Sequence, residues 1–433
     1  MSDRMEFTPW FAQATLYEMN VRQLTPEGTL CAATKRLEFL HAIGIEAIWL
    51  MPIYPIGVVQ RKGTLGSYYS IRDYQAVNPD LGTMADFDAF VHHAHTLGMK
   101  VLLDWVANHT ARDARWLSEK PADWYERDAE GEPLVPCDWS DTAKLNYANR
   151  AVWEGQIEAM TFWLQAHAID GFRCDMAMLV PLAFWQEVSL RLRRVKPDLF
   201  LIAEAEEPHF FEDAFDACYG WKMHHLLNDI AQQKTRLWPL REWLVLDRKN
   251  YPQSAIRLAF TSNHDENSWS GSEFTRLGAA TEVMAALTFL WPRSMPLVYT
   301  GQEVGYDHSF AFFDRDSIPA ECYTANDTTK FYHRMVALRR NNIALNAGVQ
   351  GGEAVEIHTN AEDCLLVLVR EKADNCVIGI LNLSPYAIQA DFNTGIYTNI
   401  YTNAMTGCSE LLPPHVNEIL SPWSYRILTR TKE

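Results

Sequence analysis

The chain has 433 residues, 48% of them hydrophobic, which is enough for one large domain and a smaller one with substantial cores, and which excludes a disordered chain. A formal net charge of −17 argues against nucleic acid and against an anionic membrane surface as partners, and leaves a neutral substrate as the natural ligand. The eight cysteines fall without Cys-x-x-Cys spacing, the N-terminus MSDRMEFTPW has no basic segment leading into an apolar core, and no apolar run reaches the roughly 18 residues of a membrane span; a soluble, cytoplasmic protein with reduced thiols is expected.

Strand-like apolar runs alternate with helical patterns from the start, the signature of parallel β/α construction. ATLYEMNVRQL (14–24) reads as a first strand, residues 30–43 as a helix closing at Gly44, and IEAIWLMP (45–52) as a second strand, apolar on both faces. A long loop follows that holds Tyr54, Tyr68, Tyr69 and Tyr74, and loops of such length are usually functional. A helix over 84–97 closes at Gly98, and MKVLLDWVANHT carries a third strand up to Asp104, with Asn108 and His109 on the loop beyond. Residues 110–148 form a Trp, Asp and Pro-rich stretch without helix or strand rhythm, read as a small excursion domain on the third β/α loop.

Regularity resumes with a helix over 149–168, the strand AIDGFRCDM (168–176), a helix over 181–195 with proline at its first turn, and DLFLIAEAEE (198–207), whose apolar run ends at Glu204. FDACYGW is a candidate sixth strand, and the Trp-rich stretch after it fits no single pattern. AIRLAFTSNHDEN supplies a seventh strand to about residue 261 and then Asn263, His264 and Asp265; a helix over 279–290, the strand MPLVYTGQEVG (295–305) and a helix over 328–345 complete the set. Eight such units fit an α/β fold of the TIM (β/α)8 barrel type, whose usual length of about 250 residues leaves room for the excursion after strand 3. Past residue 346 the short alternating runs CLLVLVRE, NCVIGILNL and WSYRILTR indicate a C-terminal antiparallel β domain of sandwich type. The expected division is 1–109 and 149–346 for the barrel, 110–148 for the excursion and 347–433 for the terminal domain.

The strand 168–176 places Arg173 and Asp175 two positions apart, hence on one face, and a guanidinium beside a carboxylate keeps that carboxylate ionised. In a closed β/α barrel all strand ends open on one mouth, so Asp104, Asp175, Glu204 and Asp265 should meet there, with Arg173, His109 and His264 beside them. Core packing does not call for this, because a buried carboxylate is costly unless paired. Crowded carboxylates have their pKa values pushed apart, and glycosidic cleavage uses that division: one group protonates the leaving oxygen and one meets the oxocarbenium carbon. Asp175, beside Arg173, fits the nucleophile, and Glu204, at the end of LFLIA, fits the proton holder.

DWVANH (104–109), GFRCD (171–175), AEAEE around Glu204 and SNHDE (262–266) resemble, in order, the four signature regions of the α-amylase family, glycoside hydrolase family 13. YYSIRDYQAVNPDLGT and PLVYTGQE are similar to that family's second-strand loop and eighth strand. The resemblance implies a retaining hydrolase that cleaves α-1,4-glucosidic bonds of starch-derived glucans or maltodextrins through a covalent glycosyl-enzyme intermediate. It implies that Asp175 attacks the anomeric carbon, Glu204 acts as acid and then base, and Asp265 holds sugar hydroxyls and stabilises the transition state. It further implies that Arg173 orients Asp175, that His109 and His264 hydrogen-bond the sugar, that Tyr69 stacks beneath it and that Asp104 belongs to the same substrate site. The chemistry so implied requires no cofactor.

The chain departs from the family pattern at three positions: Met178 and Leu179 stand where many members carry Lys then His, and Asn146 where related proteins often have aspartate. Asn146 is the weaker ligand for a hard cation, which puts in question the structural calcium of many relatives. A same-fold alternative is a transglycosylase or glucan isomerase. An alternative from another class is a catalytically silent carbohydrate-binding or scaffold barrel, against which the three intact carboxylates speak.

Overall fold

The computed structural model describes residues 8–431; residues 1–7, most of the N-terminal stretch read above for a leader, and 432–433 lie outside the described residues. Ten strands lead to residue 299: β1 (Leu16–Met19), β2 (Ala47–Leu50), β3 (Lys100–Val106), β4 (His109–Ala111), β5 (Thr142–Lys144), β6 (Gly171–Asp175), β7 (Phe200–Ala203), β8 (Ala217–Tyr219), β9 (Ile256–Ala259) and β10 (Ser294–Tyr299). Eight of them close into a barrel in the order β1-β10-β9-β8-β7-β6-β3-β2, the expected (β/α)8 architecture, and antiparallel sheets occupy the C-terminal region. The chain divides into two compact units, one made of Tyr17–Tyr219 and Tyr299–Thr324, the other of the remaining segments.

In the first unit, β2, β3, β6, β7 and β8 pair in parallel, in registers that include Leu50 with Leu103, Asp104 with Arg173 and Cys174 with Ala203. β2 and β7 are buried along their whole length, as their unbroken apolar runs require of strands covered on both faces. At Gly171 of β6 there is no room for a side chain beside β7: a Cβ there would lie 2.1 Å from the Phe200 carbonyl oxygen. The helix Met84–Thr96 opens on a capping box between Thr83 and Asp86, and Gly98 beyond its end takes a left-handed φ of +77°.

Several elements differ from their sequence reading. The first strand stops at Met19, and Val21–Leu24 turn helical; there Arg22 donates to the Gly66 and Phe312 carbonyls and Gln23 to those of Ala311 and Asp314. The helix expected over 30–43 is two, Leu30–Thr34 and Leu37–Ile43, because Lys35 closes the first with bonds to Ala32 and Ala33. The third strand does not end at Asp104 but runs on to Val106, since Trp105 and Val106 pair with Cys174 and Asp175 of β6. The stretch 110–148 is not without regular structure: β4 and β5 form an antiparallel ribbon that brings His109 opposite Lys144, beside a small core of Trp124, Tyr125, Ala143, Leu145 and Val152.

In the second unit β9 pairs in parallel with β10, Leu258 beside Met295. The Trp-rich stretch after β8 forms two helices, Trp221–Ala231 and Trp238–Asn250. The terminal region adds β11 (Ala354–Glu356), β12 (Leu365–Lys372), β13 (Asn375–Asn382), β14 (Ile388–Asn393), β15 (Asn399–Asn403), β16 (Ser409–Leu412), β17 (His415–Leu420) and β18 (Tyr425–Thr431). They make a six-stranded sheet ordered β11-β12-β13-β18-β15-β16 and a two-stranded sheet of β14 and β17. Alternate residues Leu365, Val367 and Val369 of β12 share a core with Phe392 of β14 and Val416 of β17, so the two sheets enclose one apolar layer. No helix among the described residues is long and apolar enough to cross a membrane.

Candidate active site

The parallel pairing of β3 with β6 sets Asp104 directly beside Arg173, and the two-residue period of β6 puts Asp175 on the same face as Arg173. The Arg173 guanidinium, fully buried, is the hub. Its Nη1 donates to Asp104 Oδ1 at 2.9 Å and Oδ2 at 3.1 Å and to Asp175 Oδ1 at 3.1 Å. Its Nη2 lies 2.8 Å from Glu204 Oε2, a charge contact without hydrogen-bond alignment. Three carboxylates, one within β3, one at the end of β6 and one just past β7, thus gather on one cation. Burial works against that charge, but Asp104 and Glu204 outweigh it and hold the Arg173 pKa well above the ordinary arginine value.

Asp104 and Glu204 have further support. Asp104 Oδ2 accepts from Trp49 Nε1 at 3.1 Å and from the Tyr69 hydroxyl at 3.2 Å. Glu204 Oε2 accepts the backbone N–H of Met176 at 2.8 Å. Met176 takes a left-handed conformation, φ 43° and ψ 43°, which a residue with a Cβ adopts at a cost of about 1–3 kcal/mol. The turn directly after Asp175 is therefore bent so that its amide meets the carboxylate of Glu204. Both carboxylates keep a small opening to solvent, each residue being 5% exposed, while Asp104 has none.

Tyr69 lies at the edge of this cluster, its ring stacked on Phe312 with 6.4 Å between centroids. His109, in β4 rather than on a free loop, packs its ring 5.1 Å from that of Trp139, and its Nδ1 faces the Asn108 amide nitrogen at 3.2 Å. Burial lowers the His109 pKa from 6.5 to about 4 against an opposing hydrogen bond with the Tyr69 backbone, so the ring is neutral at pH 7.

Asp265 and His264 belong to the second unit, where they open a short helix, His264–Ser270, past the end of β9. The side chain of Asn263 caps that helix by accepting from the Glu266 N–H at 2.8 Å. His264 is buried and its Nε2 lies 3.3 Å from Asp265 Oδ2, whereas the Asp265 side chain is 38% exposed. Glu266 is turned the other way, onto His224 at 3.2 Å, and that contact brings its pKa down to about 2.

Sequence reasoning missed two members of the hub. Trp49 and Tyr219 read as core, yet Trp49 donates to Asp104 and the Tyr219 hydroxyl accepts from Arg173 Nε at 3.1 Å. The two rings meet edge to face at 6.4 Å. No local signal separates such rings from packing aromatics; only the strand register does.

Asn146 is a poor ligand for a hard cation. Asn146 spends its amide within the chain, Nδ2 on the Asp123 carbonyl at 2.9 Å and Oδ1 on the Ala148 N–H at 3.1 Å. Among the described residues no group of three or more Asp, Glu, His or Cys side chains is placed to hold an ion.

A family model described as "Alpha amylase, catalytic domain" matches residues 7–333. Alpha-amylase MalA of Haloarcula japonica is 30% identical over 308 residues, covering 68% of this chain and 45% of that protein, so the chain spans less than half the length of this relative. An alpha-1,4-glucan:maltose-1-phosphate maltosyltransferase of Rhodospirillum rubrum is 32% identical over 217 residues, 44% of this chain and 31% of its own. Among solved structures, a noncanonic maltogenic alpha-amylase, AmyB of Thermotoga neapolitana, superposes with a TM-score of 0.87 at 28% identity, covering 98% of this chain and 99% of its own.

Proposed function

From the premise that the chain belongs to the alpha-amylase family, we propose that it is a retaining glycoside hydrolase cleaving α-1,4-glucosidic bonds of maltodextrins or starch-derived glucans. The observation that carries this reading is the single buried guanidinium of Arg173 in contact with Asp175 and Glu204 together. One cation in contact with both groups fixes their relative position.

In this reading Asp175 attacks C1 of the sugar as the C1–O bond breaks, and Glu204 passes its proton to the departing oxygen. A glycosyl ester on Asp175 results. Glu204, now a carboxylate, takes a proton from water, whose oxygen attacks C1 and frees Asp175 with net retention. Arg173, held also by Asp104 and Tyr219, keeps the nucleophile oriented. Tyr69 offers its ring to the sugar, and His109 and His264 hydrogen-bond its hydroxyls. Asp265, partly open to solvent at the start of its helix, is assigned to the sugar hydroxyls and to transition-state stabilisation. No step uses a metal or cofactor. The reading keeps the barrel at 1–109 and 149–346, the excursion at 110–148 and the terminal domain at 347–433. It also places the protein in the cytoplasm, a choice supported by the eight free cysteines.

The test is a product time course on defined maltooligosaccharides with the wild type and with Asp175→Asn. Release of shorter, reducing products by the wild type alone supports hydrolysis. A second reading, glycosyl transfer, is favoured by the maltosyltransferase relative, and products longer than the substrate would establish it instead. No release from any α-glucan would favour a silent binding barrel.

A further inference from the structure

Two loops of the first unit are tied together by a buried cation that the reaction above does not use. Arg22, in the helical turn Val21–Leu24 just past β1, is 3% exposed. Its Nη1 donates to the Gly66 carbonyl at 3.0 Å and to the Phe312 carbonyl at 3.2 Å, and its guanidinium carbon lies 3.8 Å from the centre of the Tyr68 ring. Gly66 and Tyr68 belong to the long loop after β2, Phe312 to the segment after β10. Burial lowers the Arg22 pKa below the ordinary arginine value. An apolar side chain would fill this volume without burying a charge, so what the cation adds is the join between segments far apart in the chain.

Neighbouring contacts close the same seam. Gln23 donates to the Ala311 and Asp314 carbonyls at 2.9 and 2.8 Å and accepts the Asp316 N–H at 2.6 Å. The Leu65 N–H donates to the Phe313 carbonyl at 3.0 Å, and Thr64 gives Asp314 Oδ1 both its N–H, at 2.8 Å, and its hydroxyl, at 2.6 Å. The seam ends at Tyr69. The Phe312 ring meets Tyr68 edge to face at 5.4 Å and lies within 16° of the Tyr69 plane, while the Tyr69 hydroxyl donates to Asp104.

We propose that Arg22 is a positioning residue: by joining the two loops through Gly66, Tyr68 and Phe312 it fixes the Tyr69 ring for the sugar and the Tyr69 hydroxyl on Asp104. This rests on the role given to Tyr69 above, and assigns part of the alignment to a side chain whose own contacts are two carbonyls and a ring.

Amide hydrogen exchange of the free chain and kinetics on maltoheptaose test it, using Arg22→Met, Arg22→Lys, Phe312→Ala and each Arg22 variant combined with Phe312→Ala. Arg22→Met should speed exchange in 62–69 and 306–318 together, by about tenfold, and leave β3 and β6 as they were. Well below its denaturation midpoint it should lower kcat/KM by about tenfold or more, with Arg22→Lys, which keeps a donor but no planar face, between it and the wild type. Over Phe312→Ala it should cost no more than about twofold further, because both act through the same ring. Should Arg22→Met not fold, Arg22→Lys alone and over Phe312→Ala supplies the same comparison. Unchanged kcat/KM in the Arg22 variants, or losses that add in full over Phe312→Ala, would overturn the positioning role. A wild-type chain that cleaves no α-glucan while both loops loosen together in Arg22→Met would sink the hydrolase and leave the tie between the loops standing. Exchange that changes in neither loop would sink the tie, whatever the chain cleaves.

Discussion

Arg173 and Glu204, one in β6 and one just past β7, meet with Nη2 2.8 Å from Oε2, while the same guanidinium bonds Asp175 through Nη1. Replacing Arg173 with lysine keeps the charge but offers one compact ammonium in place of a planar fork that serves Asp104, Asp175, Glu204 and Tyr219 at once. Loss of that alignment should lower kcat on maltoheptaose by about 100-fold or more. A single ammonium cannot reach all three carboxylates, and the poorer pairing of the buried charges should also lower the denaturation midpoint. A lysine variant with the wild-type kcat would remove Arg173 from its orienting role.

Asp175→Asn changes one oxygen to an amide at a site that is 5% exposed, so the packing is preserved and the fold should survive with a circular dichroism spectrum like the wild type's. Turnover should drop by roughly 10⁴-fold or more, because no other group stands in for the nucleophile. Substantial residual activity would contradict the assignment.

Stability in mild acid should report on His109. Its pKa in the folded chain is about 4, below the ordinary 6.5, so the unfolded chain binds the extra proton first as pH falls. The contribution is present in full above pH 6.5 and is lost between there and about 4, amounting to about 3 kcal/mol at most. Denaturant midpoints from pH 7 to 4 should therefore decline with a slope that His109→Asn flattens. An unchanged slope in that variant would assign the acid loss to other groups. Glu266 acts lower: with its pKa depressed to about 2 from 4.5, its contribution holds above 4.5 and fades toward 2.

Chelation should leave the protein unaltered. Asn146 bonds Asp123 and Ala148 with its amide and brings no charge to the position where related proteins often place a calcium-binding aspartate. Excess EDTA is expected to change neither Tm nor the rate on maltoheptaose, and a fall in Tm reversed by added calcium would show that a site exists.

The relation of Arg173 to Asp175 was legible from the alternation of a single strand, and the barrel from the rhythm of apolar runs, because both are written in local periodicity. Asp104 was legible as a candidate but not as the direct neighbour of Arg173, since that follows from the register of β3 on β6 and no spacing along the chain encodes it. Trp49 and Tyr219 passed for core residues, which they also are: the same buried ring that packs against a neighbour presents one polar atom to the hub. The β4 and β5 ribbon was missed because three-residue strands are too short to establish a period, and the break between Leu30–Thr34 and Leu37–Ile43 because the apolar spacing carries through it.

The central claim is that Asp175 and Glu204 act in succession on one sugar, with a covalent ester between the two displacements. The anomeric configuration of the first product released from maltoheptaose, followed by proton NMR before mutarotation, tests it most directly. The account predicts the α-anomer in excess at the earliest times, relaxing later to the equilibrium mixture. Initial release of the β-anomer would require a single displacement by water and would contradict it.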